Sequence, residues 1–241
     1  MNEILRSLYE RKSVRAFTDE AISPEEKAAI LRAAAEAPTA GNQQLYTILD
    51  LTDEDMKKAL VPLCDNQPFI ASAPMVLIFL ADCRKWYRAF SFEGLAARAP
   101  GPGDLMLAAS DANIAAQNAV CAAESLGIGS CYIGDIMENK EALSELLSLP
   151  AWVFPAAMLV FGRPTEQQLG RKKPRRCAME HIVHENGYRD MDEAELRNML
   201  GYKAGQKSYE AWLKGFCDFK FNSDFSREMT RSVREYWKDF E

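Results

Sequence analysis

Histidine is almost missing from this chain of 241 residues, which has only His181 and His184. They stand in Glu180-His181-Ile182-Val183-His184-Glu185, an i, i+3 spacing that is not the His-Glu-x-x-His order of a zinc hydrolase, so no metal site is expected. Six cysteines (Cys64, Cys83, Cys121, Cys131, Cys177, Cys217) are scattered without a Cys-x-x-Cys pair, which argues against a disulfide framework and a zinc cluster. A Walker loop and a Gly-x-Gly-x-x-Gly fingerprint are both absent, which disfavours a nucleoside triphosphate or a Rossmann dinucleotide. The longest apolar run, Ala73 to Ala81, is far too short to span a bilayer, and Met1 to Arg6 lacks the apolar centre of a signal peptide. A cytoplasmic protein without membrane partners is expected. No repeat and no low-complexity linker is present.

What the chain does have is cationic charge in two places on an acidic background of net charge -6. Arg11-Lys12-Ser13-Val14-Arg15 is one cluster and Arg171-Lys172-Lys173-Pro174-Arg175-Arg176 the other. Nucleic acid is met by a broad basic face, so two compact clusters point instead to a small anion. Guanidinium forks beside a hydroxyl suit a phosphate held by short, charge-assisted bonds. The plainer reading of either run alone is a solvated surface.

With 48% apolar residues the chain can bury one large core. A short amphipathic helix is expected over 2–10, and Ser23-Pro24-Glu25-Glu26 is a capping box opening a helix over about 24–37. Strands are expected at 46–51, 74–81, 131–136 and 156–161, with helices opening near Asp53 and covering 105–126 and 138–147. The stretch 84–104, with its four aromatics and Pro100-Gly101-Pro102-Gly103, reads as a mobile excursion or lid. The last forty residues carry many aromatics without one clear period, as expected of a segment that packs on a partner subunit. The expected class is α+β, with about four to five strands.

Three further features bear on a ligand. Pro38-Thr39-Ala40-Gly41-Asn42-Gln43-Gln44 puts amides and a hydroxyl on a flexible loop, Gln67 adds another amide, and Tyr132-Ile133-Gly134-Asp135 lets main chain approach a flat ring. Each alone is ordinary turn chemistry. With two phosphate-competent clusters they describe a molecule with a phosphate at one end and a uracil-like edge at the other, and flavin mononucleotide (FMN) is such a molecule.

On these residues, together with Ala73-Pro74, Ala81-Asp82, Gln117-Asn118-Ala119, Glu124-Ser125-Leu126-Gly127 and Val183-His184-Glu185-Asn186, the chain resembles the nitroreductase family. Its likeness is greatest to the branch of oxygen-insensitive NADPH nitroreductases and flavin reductases, over about residues 1–190. The resemblance implies a mostly antiparallel sheet flanked by helices, an FMN-binding domain over 1–190, and a C-terminal helical extension over 191–241 packed across a homodimer. It implies hydride transfer from NADPH or NADH through flavin to nitroaromatics, quinones or flavins, in two steps. Non-enzymatic flavin binding, dehalogenation and ring dehydrogenation are the alternatives. By the same resemblance Arg11, Lys12 and Ser13 hold the phosphate with Lys173 and Arg175, and Arg15 sits at the N1 edge of the ring. Thr39, Ala40, Gly41, Asn42 and Gln67 line the ring, and Ile133, Gly134 and Asp135 cover it near N5. No side chain acts as a catalytic acid, because the cofactor carries the chemistry. Some relatives have histidine where Arg11 stands and arginine where Lys12 stands, and glycine is common where Asp135 stands. Arg227, Arg231 and Arg234 are candidates for the 2′-phosphate of NADPH.

Overall fold

A computed structural model describes all of residues 1–241, which fold as two compact units. The larger comprises residues 1–172 and 228–241, and the smaller residues 173–227.

The larger unit is built on four strands: β1 (Tyr46–Leu51), β2 (Met75–Asp82), β3 (Gly129–Ile133) and β4 (Val153–Gly162). They form one antiparallel sheet in the order β1-β2-β4-β3. Both central strands are buried along their whole length, which is why Met75 to Ala81 is continuously apolar and not alternating. β4 starts three residues before the expected 156, running through Pro155. A proline in a central strand removes a ladder donor, and here the register slips at that point: Leu80 faces Pro155 while Phe79 faces Ala157.

Around the sheet lie α1 (Glu3–Glu10), α2 (Pro24–Ala35), α3 (Glu54–Leu63), α4 (Phe69–Ser72), α5 (Arg84–Phe92), α6 (Pro102–Ser125), α7 (Lys140–Leu146) and α8 (Glu166–Gly170). The capping box of α2 is formed: Glu26 N–H donates to Ser23 Oγ at 3.1 Å, and Ser23 N–H to a Glu26 carboxylate oxygen at 2.9 Å. α6 packs its alanines (Ala108, Ala112, Ala115, Ala116, Ala119, Ala123) into the core with no exposed surface. Methyl-sized side chains there bring the helix axis close to the sheet and to α2. The stretch 84–104 is not a loose excursion: α5 occupies its first half, with Trp86 Nε1 donating to Gln43 O at 2.9 Å and Tyr87 edge-on to Trp152 at 4.7 Å. No helix is long and apolar enough to cross a membrane.

The smaller unit contains α9 (Glu193–Gly201) and α10 (Tyr209–Lys220). α11 (Asp224–Trp237) begins in it and ends in the larger unit, where Tyr236 is buried edge-on to Phe154 at 5.2 Å.

Candidate functional site

The segment Arg11–Phe17 lies against the sheet because two glycines make room for it. Val14 N–H donates to Ser130 O at 2.9 Å, and the buried Val14 side chain fills the hollow over Gly129. A Cβ on Gly129 would stand 2.5 Å from Val14 Cγ2, and one on Gly162 2.6 Å from the Phe17 ring. Extended backbone alternates its side chains, so anchoring Val14 turns Ser13 and Arg15 to the other side.

The start of the second basic cluster meets the first. Lys12 Nζ donates to Leu169 O at 2.6 Å and Arg171 O at 2.5 Å, and Arg171 Nη2 donates to Ser13 O at 2.5 Å. Arg15 N–H donates to Gln168 Oε1 at 3.3 Å. Lys12 therefore joins two loops through its ammonium, and Gln168, which carries no charge signal in the sequence, orders the main chain at Arg15. Arg11 is half-buried and its Nε–H has no partner. A buried cationic donor left unpaired is costly, and an anion against this loop removes that cost.

Arg15 is exposed, its guanidinium 6.0 Å from the centroid of Phe69. Two residues before Phe69, Gln67 Nε2 donates to Cys64 O at 3.2 Å and to Asp135 Oδ2 at 2.5 Å. Both acceptors demand the amide nitrogen, so the Gln67 carbonyl oxygen is left to meet a donor. Ile133 is buried at the end of β3, and at Gly134 a Cβ would meet only Met137 Cε at 3.9 Å. The main chain at Gly134 is thus bare. A phosphate-competent loop, a guanidinium, one free amide carbonyl and a bare main chain form a donor set that fits FMN.

The loop 38–45 is organised by a residue that no sequence motif marks. Asp111, on α6 and only 3% exposed, accepts from Thr39 Oγ1, from Ala40 N–H at 3.0 Å and from Leu45 N–H at 3.2 Å. Its one signal in the sequence is an acidic residue at a position where the helix otherwise buries alanines, with Ala108, Ala112 and Ala115 on the same face. Gln44 N–H closes the loop onto Thr39 Oγ1 at 2.7 Å. Gly41, Asn42 and Gln44 all have positive φ, of 56°, 56° and 50°, a conformation that costs free energy in Asn42 and Gln44. These bonds tie Thr39, Ala40 and Leu45 to α6, and Asn42 N–H donates to Thr39 O within the loop at 3.3 Å.

Lys173 and Arg175 belong to the smaller unit, where the Arg175 guanidinium lies 5.0 Å from the Tyr202 ring centroid and Arg175 O accepts from Tyr202 Oη at 3.2 Å. Of the three C-terminal arginines, Arg231 is committed: it pairs with both oxygens of Glu141, at 2.9 and 2.8 Å, and with Glu228 at 2.7 Å. A cavity of about 520 Å³ between β1 and α5, lined by Leu49, Leu80, Arg84, Arg88 and Val153 among others, shares no residue with this site.

Residues 8–163 match the nitroreductase family. The chain is 32% identical over 244 residues to FMN reductase (NAD(P)H) of Bacillus subtilis, with 99% of this chain and 92% of that protein covered. It is 36% identical over 198 residues to the oxygen-insensitive NADPH nitroreductase of Salmonella typhimurium, covering 81% and 79% of the two. Among solved structures, NfrA2 of B. megaterium superposes with a TM-score of 0.83 at 29% identity over 100% of both chains.

Proposed function

The chain belongs to the nitroreductase family, and from that premise we propose that it is an FMN-dependent oxidoreductase passing hydride from NAD(P)H to small oxidised acceptors such as nitroaromatics, quinones or free flavin. The observation that carries this reading is the pinned loop Arg11–Arg15, with the buried, unpartnered Nε–H of Arg11 at its start. Bound FMN would supply two-electron hydride chemistry to these residues, which themselves need only bind and orient it.

The residues of this chain bind and orient. Arg11 and Ser13 meet the phosphate, and Lys12, its ammonium spent on two carbonyls, holds the loop in shape. Arg15 supplies a fixed positive charge where reduction leaves negative charge on the ring. Gln67 offers its carbonyl oxygen to a ring N–H, and the bare main chain of Gly134 beside Ile133 lets the ring lie close. Thr39, Ala40, Gly41 and Asn42, preset by Asp111, form the other ligand-facing loop. We further propose a homodimer, supported by the exposed Met106, Leu107 and Ile114 on α6, and a dimer-packing role for the C-terminal extension 191–241.

The test is an absorbance spectrum before and after anaerobic addition of NADPH. A bound flavin spectrum that bleaches is expected. Flavin that neither NADPH nor NADH reduces would leave a carrier, and a colourless protein that FMN does not reconstitute would overturn the proposal. Arg11→Ala should weaken FMN binding by about 10- to 100-fold, the cost of one charge-assisted bond, as read by quenching of flavin fluorescence.

A further inference from the structure

One group in the larger unit has no role in the scheme above. Glu138, in the turn that follows β3, is only 3% exposed, and its Oε1 is buried without a hydrogen-bond partner. A buried carboxylate oxygen left unpaired is expensive unless the group is neutral. Its surroundings offer no cation. Asp135 faces it from the same turn, Asp65 from the loop after α3 and Glu228 from α11. Arg231 on α11 is already committed to Glu141 and Glu228. Cys64, close to the pair, is a thiol that burial, with Asp135 adding to it, pushes well above the usual thiol range.

We propose that Glu138 and Asp135 share one proton, and that this pair fixes the Gln67 amide with its carbonyl oxygen toward the ligand, making Glu138 a positioning residue for recognition of a ring N–H. The inference rests on the flavin reading and assigns to it a residue outside the ligand's reach. Two carboxyl groups in contact cannot both be ionised at low cost, so one proton stays between them. The proton sits on Glu138, which donates to Asp135. Asp135 accepts from Gln67 Nε2 at 2.5 Å, while Cys64 O holds the second amide hydrogen at 3.2 Å. Burial, with Asp135 adding to it, pushes the Glu138 carboxyl up to about 8. Near neutral pH the relay is therefore closed. At higher pH the second charge appears, the pair repels itself, and the Gln67 amide is released.

The experiment titrates FMN into the apoprotein at pH 7 and pH 9, following flavin fluorescence, for wild type and Glu138→Gln. Glutamine is a permanent neutral donor to Asp135, so the variant should bind FMN as wild type does at pH 7. Wild type should lose about tenfold in affinity by pH 9, the effect of losing one oriented amide contact, while Glu138→Gln stays flat. Parallel pH curves for the two proteins would overturn the proposal. Wild type that binds no FMN at either pH would overturn the flavin reading itself. The pair is checked separately, without ligand and without a variant, by infrared titration of the wild-type apoprotein. A protonated-carboxyl stretch present at pH 7 and lost with a midpoint near 8 is expected, and its absence at pH 7 would refute proton sharing.

Discussion

The two compact units of this chain solve the problem of apolar surface in opposite ways. In the larger one, β2 and β4 are buried at every position and α6 buries nine residues, so a closed core exists even though Met106, Leu107 and Ile114 of α6 stay exposed. In residues 173–227 only His181 is buried, and neither α9 nor α10 contains a buried residue. Yet both helices there are as well started as those around the sheet: Asp192 and Glu195 form a capping box and Ser208 caps α10. Capping decides whether a helix begins, at about 1 kcal/mol each, and says nothing about what the helix covers. The aromatics of α10 meet one another along the helix, Tyr209 to Trp212 at 6.0 Å and Trp212 to Phe216 at 5.5 Å. Cations lie over them, Arg197 at 4.5 Å from Tyr209 and Lys203 at 5.8 Å from Phe216. Such contacts rigidify a surface without removing it from water, since Phe216, Phe219 and Phe221 stay exposed. Apolar side chains left outside in a piece of this size mark it as a candidate for covering by a second copy, as proposed above.

The largest expected effect lies in the sheet unit. Asp111→Ala leaves the Thr39, Ala40 and Leu45 donors without their acceptor inside a buried cluster. A loss of about 3 kcal/mol follows, or a fall in Tm of about 6–12 °C by calorimetry, together with weakened flavin binding. A fall under about 2 °C would mean that the loop 38–45 does not depend on this carboxylate. Next comes Gly129→Ala, whose Cβ would press on Val14 at 2.5 Å. Overpacking of this kind costs about 1–3 kcal/mol. Because Val14 is the anchor of the Arg11–Arg15 loop, flavin affinity should fall by more than the change in stability accounts for.

A smaller effect is the pH dependence set by Glu138. Its folded value, about 8, lies above the usual 4.5, so between them the folded protein binds more protons than the unfolded chain. Its contribution is fully present below pH 4.5 and is lost as pH rises through 8. Melting curves at pH 5.5 and pH 8.5 should show wild type losing stability, with a smaller loss in Glu138→Gln. Equal losses would place the pH dependence elsewhere.

Much of the larger unit is legible in the sequence because its signals are local. Ser23 and Glu26 sit three apart and cap α2, and Met75 to Ala81 reads as a doubly buried strand from composition alone. Arg11 to Arg15 stands out by charge density, and the structure pins its main chain where Val14 N–H meets Ser130 O. What is illegible depends on partners far away in sequence. Asp111 takes its meaning from Thr39 and Ala40, more than seventy positions earlier. Glu138 resembles an acidic residue at a helix start, and only the fold brings Asp65 and Glu228 against it. Trp86, Tyr87 and Phe90 stand at the i, i+1, i+4 spacing of one helix face, but their docking on Gln43 and Trp152 depends on residues far away in sequence. Gly129 and Gly162 carry no motif, since a hollow exists only once Val14 and Phe17 fill it.

The smallest expected effect is the one that most directly challenges the comparison. Trp212→Ala removes the central ring of the α10 stack, which lies between Tyr209 and Phe216. Were residues 173–227 stabilised by a core of their own, losing a tryptophan would cost about 3–5 kcal/mol, the usual figure for a buried aromatic. The helix has no buried residue, so the ring's removal should change the main melting transition by less than about 0.5 kcal/mol, as for ordinary surface substitutions. Sedimentation of the same variant separates the two explanations for so small a change. If the exposed aromatics are covered by a second copy of the chain, Trp212→Ala should weaken self-association while leaving the dilute-protein melt unchanged. A variant that melts early at every protein concentration would show that α10 is held by its own chain, and the contrast between the two units would fail.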